Sequence, residues 1–393
     1  MSERSRPQVP APLKELRVPF GRRAVVVGAG SFGTAVAVLL ARGGLRTTLQ
    51  ARTTEQSERL QADRANQVYL PGVDFPSQLR VGDVGDGLAR AEFVFLGVPS
   101  RGLDDVIGGL RAAGLGPRAS LVSLAKGLVP PNGMAPTIMM RESFGERCVA
   151  CIGGPAHARE MVHEGAGLVA ASTNQQLANS LAQVFIRAGV VCEQSNDPVG
   201  VELAGIAKNA AALAAGATER QGLNAAGAAA GHIFAEVWRY AEARGARPES
   251  MIGLAGTGDL VATTLAPQSR NRRAGEMLAD GVPGAEIPDR IGQAVESFET
   301  VPLLARALQD SRVEAPVLSG LARLISGDLP LDDWVALVRT TVPPPARWRR
   351  SQAPRGAWQR GSALVRGWFG DARPPPESAA GGKTRSAGGG RQA

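Results

Sequence analysis

The chain has 393 residues, enough for two ordinary domains, and its 44% apolar and 20% charged residues are typical of a globular protein. Its formal net charge of +8 belongs to one segment: ten basic and two acidic residues lie from residue 341 onward, and the rest of the chain carries 34 of each sign. The neutral body gives no indication of nucleic-acid binding, and we expect no nucleic-acid partner.

The N-terminal half alternates strand-like and helix-like segments. Residues 1–21 are polar and predict a loose lead-in, and the segment RRAVVVGAGSFGTAVAVLLARGG then predicts a strand, a turn and a helix. Further strands are predicted at 47–52, 92–100, 119–127 and 148–156. This alternation predicts an α/β domain with a doubly wound parallel sheet over residues 22–197.

The C-terminal half has a different pattern. Residues 198–340 are rich in Ala and Leu at helical spacing, with breaks at GARPES, LAPQS and ADGVPGAEIP, which predicts an all-helical second domain. From residue 341 the Pro and Gly runs predict a disordered basic tail to residue 393. We find no solenoid-type repeat.

The first predicted turn carries G-x-G-x-x-G at Gly28, Gly30 and Gly33. Placed between a strand and an apolar helix, this pattern indicates a dinucleotide site, with the diphosphate on the helix N-terminus. The second strand ends without an acid at Arg52, and a cation there suits a 2′-phosphate. We therefore expect NADPH as the cofactor, with NADH possible; a solvated strand-end arginine is the alternative.

Lysine is rare in this chain and therefore informative. Forty of its 44 basic residues are arginine, and only Lys126 and Lys208 lie within the two predicted domains. Lysine can lose its proton in a protein site, whereas arginine effectively cannot. These two lysines are therefore the first candidates for proton chemistry, and Lys208 stands in the small apolar run GIAKNAAALAAG, where a charge needs a partner.

The cysteines Cys148, Cys151 and Cys192 are too few for a disulfide framework. Cys148 and Cys151 form a C-x-x-C in a strand-like run, which favours core thiols and leaves metal or redox use as the alternative. No His, Cys or carboxylate cluster has metal-ligand spacing, so we predict no metal. The absence of an apolar run of 18 residues and of a signal-peptide core predicts a cytoplasmic protein.

Nine segments follow one another over about residues 22–340: GAGSFGTA, LQARTTE, NQVYLPGVDFP, GVPS, SLAKGL, GGPAHARE, GVELAGIAKNAAALAAG, GLAGTGDLVATT and SRNRRAG. In their order and spacing they resemble the bacterial NAD(P)-dependent glycerol-3-phosphate dehydrogenases. The resemblance implies a Rossmann domain followed by a helical domain, a homodimer, and an active site between the domains. The implied reaction is the reversible reduction of dihydroxyacetone phosphate to sn-glycerol 3-phosphate, a precursor of phospholipids.

The resemblance also implies residue roles. Lys208 would be the catalytic acid/base, assisted by Asp259. Substrate contacts would come from Lys126, Gly154, Ala156, Lys208, Asp259, Ser269, Arg270 and Asn271. Cofactor contacts would come from Gly28, Gly30, Ser31, Phe32, Gly33, Arg52, Lys126, Ala158, Arg270 and Glu296.

Three positions depart from the family pattern. Ala156 stands where the family has a hydroxyl that would contact substrate, and the neighbouring His157 could donate in its place. The family's EG is here Glu296-Ser297, and its usual Trp in the glycine loop is Phe32. The missing hydroxyl at position 156 leaves the substrate's identity and affinity open, and Phe32 is a milder change.

Chemistry and structure compete as explanations for several of these residues. Hydride delivery to a ketone leaves charge on oxygen, and a lysine ammonium can both stabilise and protonate that oxygen. The structural alternative for Lys208 is an ion pair with Glu202 or Asp259. Asp259 could orient Lys208 or a substrate hydroxyl, or cap a helix.

The polar residues around these groups have two readings as well. Ser269, Arg270 and Asn271 form either a phosphate clamp or a helix start with a solvated arginine. Asn209 could tie its helix or touch ligand.

The basic tail places Trp348, Trp358 and Trp368 among arginines. It is either a solvated extension or a segment that binds anionic lipid or nucleic acid. Because the implied product is a phospholipid precursor, a contact with a membrane surface fits that function. Two other functions remain open: a related dehydrogenase acting on another phosphorylated or carboxylated ketone, and an NADPH-binding sensor that has lost catalysis.

Overall fold

A twisted sheet with helices on both faces makes up the N-terminal half in the computed structural model, which describes residues 22–145, 149–293 and 295–342. The strands are β1 (Arg23–Val27), β2 (Arg46–Gln50), β3 (Ala65–Asn66), β4 (Leu70–Asp74), β5 (Leu79–Gly82), β6 (Phe93–Leu96), β7 (Ser120–Ser123), β8 (Val149–Gly153), β9 (Gly167–Ala171) and β10 (Val191–Ser195). Eight of them form one sheet in the order β10-β9-β8-β7-β6-β1-β2-β5, and β3 pairs with β4 separately. All five strands predicted from the sequence are present.

Fifteen α-helices accompany the strands in the described residues. They are α1 (Ser31–Arg42), α2 (Thr54–Asp63), α3 (Leu103–Ala112), α4 (Pro136–Phe144), α5 (Ala158–His163), α6 (Gln175–Arg187), α7 (Pro198–Thr218), α8 (Leu223–Glu242), α9 (Pro248–Ile252), α10 (Asp259–Leu265), α11 (Arg270–Ala279), α12 (Ile287–Ile291), α13 (Glu296–Asp310), α14 (Pro316–Ser326) and α15 (Leu331–Thr340). A π-helical turn, Leu254–Gly258, precedes α10. The last strand ends at Ser195 and α7 begins at Pro198, so the change from sheet to helix falls between them.

The sheet is not parallel throughout. Six neighbouring strands of the sheet, β5, β2, β1, β6, β7 and β8, run in the same direction. Strand β9 lies antiparallel to β8, and β10 is parallel to β9. The helix between β8 and β9 has only six residues, about 9 Å of length, which is shorter than the roughly 16 Å of a five-residue strand. The chain therefore does not return along the sheet before β9 begins, so the predicted parallel sheet contains one antiparallel pair, β8 with β9, at this edge.

Helix α7 is buried along almost its whole length, and its small side chains explain how. A Cβ on Gly216 would lie 2.2 Å from the carbonyl oxygen of Arg272, and a Cβ on Gly275 would lie 2.1 Å from that of Leu213. Helices α7 and α11 therefore cross at nearly backbone contact, and α8, α10 and α13 pack on the other sides of α7. The alanine-rich composition around Lys208 is a consequence of this crowding.

Two buried carboxylates anchor the start of α7. Asp197 accepts from Gly200 N at 2.8 Å as the helix cap, and also from Arg247 N and the Ser250 hydroxyl, each at 2.7 Å. Glu202 accepts from both the backbone N–H and the hydroxyl of Thr137, the second residue of α4. Burial raises the pKa of Glu202 to about 8. The ion pair between Glu202 and Lys208 that the sequence left open is not formed.

None of the helices within the described ranges combines the length and the apolar character needed to cross a bilayer. Cys151 and Cys192 are buried, and burial raises the pKa of both thiols, as expected for core cysteines. Cys148 and the tail from residue 343 lie outside the described residues, as do residues 1–21.

Candidate active site

The turn between β1 and α1 has the shape of a diphosphate cradle. Gly28 has φ of 106° and a Cβ there would lie 2.6 Å from the carbonyl oxygen of Gly97, so only glycine fits. A Cβ on Gly33 would lie 2.1 Å from the carbonyl oxygen of Gly28. By contrast, no atom lies within 4 Å of the Cβ position of Gly30, so the space before the α1 N-terminus is open. The residues present therefore fit a dinucleotide.

A buried asparagine that the sequence reading did not single out braces this turn. Asn66 Nδ2 donates to the carbonyl oxygen of Ala29 at 3.0 Å and to Thr34 Oγ1 at 2.8 Å. Its motif, NQVYLPGVDFP, was recognised as a family segment, but nothing in its local pattern indicates which residue it supports. Arg52 lies two residues beyond β2 and is exposed, as a contact to a ligand phosphate requires.

A carboxylate lies between two lysines where the sheet meets the helical half. Asp259 Oδ2 is 2.7 Å from Lys126 Nζ, and Asp259 Oδ1 is 3.3 Å from Lys208 Nζ. Lys126 also donates to the carbonyl oxygen of Gly154 at 3.0 Å. Asp259 is 1% exposed and Lys208 is 7% exposed, so the three charges are held largely away from water. Lys126 Nζ lies 5.7 Å from the centre of the Phe32 ring, next to the glycine turn.

Each member of this cluster comes from a different element. Lys126 follows β7, Lys208 lies in the middle of α7, and Asp259 is the first residue of α10. Thr263, one turn after Asp259 on the same face, accepts from Lys208 Nζ at 3.0 Å and donates to Asp259 Oδ1 at 3.3 Å. Thr263 was missed from the sequence, although its spacing of four from Asp259 in GDLVATT places both on one helix face.

The charges of the cluster shift one another's protonation. Burial lowers the pKa of Lys208 to about 8; Asp259 acts in the opposite direction, and Lys126 adds to the lowering. Burial alone would raise the pKa of Asp259, but Lys126 and Lys208 outweigh it, and this pKa is lowered. The arrangement keeps a carboxylate charged and brings a lysine close to the pH at which it can both give and take a proton.

A second polar network adjoins the charged cluster. Asn209 Nδ2 donates to the carbonyl oxygen of Lys126 at 3.1 Å and to Glu296 Oε2 at 3.3 Å. Asn209 Oδ1 accepts from Asn271 Nδ2 at 2.8 Å. Asn209 therefore ties α7 to the loop after β7, to α11 and to α13. Asn209 could either hold its helix in place or contact a ligand, and these hydrogen bonds show the first role.

The remaining predicted site residues gather around the N-termini of two helices. Ser269 caps α11, its hydroxyl accepting from Arg272 N at 3.4 Å, and Arg270 is exposed as the first residue of that helix. Gly154 and the buried Ala156 lie in the loop before α5, which begins at Ala158. A helix therefore starts at Ser269–Asn271, as one of the two interpretations expected. The hydroxyl of Ser269 accepts a hydrogen bond as the helix cap, so its own proton can still be donated to a ligand.

A glycine cradle facing a buried lysine–aspartate cluster defines a dinucleotide-dependent dehydrogenase with a helical substrate domain. Two family models match the chain: the NAD-dependent glycerol-3-phosphate dehydrogenase N-terminus over residues 23–178 and its C-terminus over residues 197–336. The chain therefore belongs to the NAD-dependent glycerol-3-phosphate dehydrogenase family.

Individual relatives support this membership. A glycerol-3-phosphate dehydrogenase [NAD(P)+] from Serratia proteamaculans is 37% identical over 309 residues, covering 76% of this chain and 90% of the relative. The enzyme of that name from Methylococcus capsulatus is 36% identical over 335 residues, covering 83% and 98%. The crystal structure of glycerol-3-phosphate dehydrogenase from Coxiella burnetii superposes with a TM-score of 0.77 at 30% identity, covering 82% of this chain and 100% of that one. The predicted fold class, an N-terminal Rossmann domain followed by helices, is confirmed.

Proposed function

We propose that this chain catalyses the reversible NAD(P)H-dependent reduction of dihydroxyacetone phosphate to sn-glycerol 3-phosphate, which supplies the backbone of glycerophospholipids. The observation that carries this proposal is the buried carboxylate of Asp259 between Lys126 and Lys208, beside the glycine cradle. The curated relatives that this chain matches over 90% and 98% of their length are named for this activity.

Lys208 is the proton donor and acceptor in this proposal. The nicotinamide dinucleotide, when bound, supplies or accepts the hydride. The Lys208 ammonium donates a proton from Nζ to the substrate oxygen during reduction, and the neutral amine removes the hydroxyl proton in the reverse direction. Since its pKa is lowered to about 8, both forms are accessible near neutral pH. Asp259 and Thr263 hold Nζ in place through contacts of 3.3 and 3.0 Å.

The substrate phosphate would be held at the start of α11. Arg270 offers a guanidinium fork and Ser269 a hydroxyl proton. Asn271 donates its amide Nδ2 to Asn209, and its Oδ1, buried without a hydrogen-bond partner among the described residues, is an acceptor for a substrate hydroxyl. Lys126 adds a positive charge beside the reacting end. Two lysines and one arginine against Asp259 and Glu296 leave an excess of one positive charge, which favours a phosphate.

The dinucleotide would lie along the glycine cradle. Its binding residues in this proposal are Gly28, Gly30, Ser31, Phe32, Gly33, Arg52, Lys126, Ala158, Arg270 and Glu296. The Asn209 contact with Glu296 connects this cofactor side to the Lys126 loop. Gly154 and Ala156 would form the floor beneath the reacting groups.

Steady-state kinetics test the proposed reaction. We expect NADPH oxidation with dihydroxyacetone phosphate to have a kcat/KM at least about a hundredfold above that with unphosphorylated dihydroxyacetone, because the clamp at α11 acts only on the phosphate. Preference for a carboxylated ketone would contradict the substrate assignment. Tight NADPH binding without turnover of any ketone would instead identify a sensor.

Arg52 is expected to set the cofactor preference. Replacing Arg52 with alanine removes the cation available to a 2′-phosphate, so KM for NADPH should rise about tenfold while KM for NADH changes less than about twofold. Arg59→Ala, which removes another exposed arginine from the adjacent helix α2, is the matched control and should change neither value. An equal change of both KM values for Arg52→Ala would show that Arg52 does not read the phosphate.

We also propose a homodimer in the cytoplasm whose basic tail adds a contact with anionic lipid. The tail charge supports the lipid contact, because all of the net +8 lies beyond residue 340. Co-sedimentation with vesicles containing phosphatidylserine, for the full chain and for a chain ending at residue 341, measures this contact. Equal binding of the two chains would contradict it.

A further inference from the structure

His157 lies in the loop that joins β8 to α5, near the lysine–aspartate cluster. Gly154, whose carbonyl oxygen accepts from Lys126 at 3.0 Å, has φ of 98° and turns the chain away from the sheet. Three residues later His157 stands immediately before α5, with 24% of its side chain exposed. The histidine is thus half-buried at the rim of the proposed active site.

Four charged residues act on His157: one carboxylate in α5 and the three members of the lysine–aspartate cluster. His157 Nδ1 lies 3.9 Å from Glu160 Oε1, in the first turn of α5. Burial lowers the pKa of His157; Glu160 and Asp259 of α10 act to raise it, while Lys208 of α7 and Lys126 of the β7 loop act to lower it. The imidazole is therefore mostly neutral near pH 7 without ligand, and an added anion would favour its protonated form.

Glu160, the neighbour of His157, is hydrogen-bonded to the segment that leads into the proposed phosphate clamp. Gln268 Nε2 donates to Glu160 Oε1 at 3.4 Å, and Gln268 immediately precedes Ser269 and Arg270. The start of α5 and the start of α11 therefore face the same space. Ala156, next to His157, offers no side-chain donor to that space.

We propose that His157 binds the phosphate group of the substrate as an imidazolium, supplying the donor that Ala156 lacks. This inference rests on the proposed function for the identity of the substrate. We assign the contact to Nε2, because Nδ1 is the nitrogen beside Glu160. Binding then takes up a proton at His157, so affinity for the phosphate falls as pH rises through the pKa of the liganded histidine.

Kinetics of His157→Phe test the proposal. Loss of a charge-assisted hydrogen bond should raise KM for dihydroxyacetone phosphate about tenfold at pH 6.5 and leave kcat within about twofold. The difference in KM should shrink to about twofold at pH 8.5, where His157 of the parent is neutral. The matched control is His163→Phe, which replaces the exposed histidine at the end of α5 and should behave as the parent. A parental KM for His157→Phe at both pH values would overturn the proposal.

A second variant distinguishes recognition from a change in loop shape. Adding Ala156→Ser to His157→Phe returns a hydroxyl to the neighbouring position, and KM should fall back to within about threefold of the parent. If KM stays high, His157 does not share a ligand with that hydroxyl and the proposal fails.

Calorimetry with inorganic phosphate separates this proposal from the proposed function. At pH 7 the parent should bind phosphate about tenfold more tightly than His157→Phe and with a larger uptake of protons, measured in buffers of different ionisation enthalpy. This readout does not depend on turnover. An inactive parent that shows this difference would contradict only the proposed reaction, whereas equal phosphate binding in an active parent would contradict only the role of His157.

Discussion

Replacing Lys208 with alanine is expected to lower kcat for dihydroxyacetone phosphate about a thousandfold while KM for NADPH changes little. The loss follows from the position of Nζ, which is the largely buried proton donor held by Asp259 and Thr263. Steady-state kinetics with saturating NADPH measure the effect.

The Lys208 variants should fold, because the alanine-rich helix already accommodates small side chains. Lys208→Met keeps the apolar stem and removes a charge whose burial is unfavourable, so its melting temperature should equal or exceed that of the parent. Asp259 keeps Lys126 as a partner in this variant. A methionine variant that folds and turns over substrate at the parental rate would rule out Lys208 as the acid/base.

The pH dependence of the parent gives the same residue a signature. The protonated amine is the donor in reduction, so kcat/KM for dihydroxyacetone phosphate should fall as pH rises through about 8, the lowered pKa of Lys208. The neutral amine is the acceptor in oxidation, so kcat/KM for glycerol 3-phosphate should fall as pH drops below the same value. Both limbs should be absent from the residual activity of Lys208→Met.

Local pattern predicted the elements of this protein better than their assembly. The glycine turn, the five strands named from the sequence and the helical C-terminal half are all present, because each depends on neighbours within about ten residues. The reversed direction of β9 and β10 depends on α5 being shorter than a strand. No sequence motif indicates the length of that helix, so the reversal could not be predicted.

The candidate site divides in the same way. The scarcity of lysine indicated Lys126 and Lys208 before any fold was known. The sequence also offered Asp259 as a partner of Lys208, and this contact is present. That Lys126 shares the same carboxylate could not be predicted, because Lys126 and Asp259 are 133 positions apart and meet only through tertiary packing. Asn66 and Thr263 were missed for the same reason: each acts on a group brought to it by a different element.

Asp259→Asn is expected to damage both stability and activity. The asparagine leaves two ammonium groups facing a neutral amide in a site that is almost closed to water. Breaking a buried ion pair by removing one partner costs about 3–5 kcal/mol, so the melting temperature should fall. The pKa of Lys208 should fall further without the carboxylate, because Asp259 is the neighbour that opposes the effect of burial. Fewer molecules then hold the proton needed for reduction, and kcat should drop about a hundredfold or more at pH 7.

Two comparisons separate these effects of Asp259. The pKa of its carboxyl is lowered in the folded protein, so its stabilising contribution is present above the unfolded value of 3.8 and is lost as pH falls through the folded value. The melting difference between parent and Asp259→Asn should therefore be large at pH 7 and shrink in acid. Thr263→Val removes two hydrogen bonds but no charge, so its loss of stability should be smaller and independent of pH over this range.

Removing Lys208 as well should reverse one defect of Asp259→Asn and not the other. In the double variant Asp259→Asn/Lys208→Met, one of the two unpaired ammonium groups is gone, and Lys126 keeps the carbonyl oxygen of Gly154. Thermal stability should recover toward the parent, whereas activity should stay at the level of Lys208→Met. If the double variant is less stable than Asp259→Asn, the carboxylate does not serve to balance the charge of Lys208, and its place between the two lysines needs another explanation.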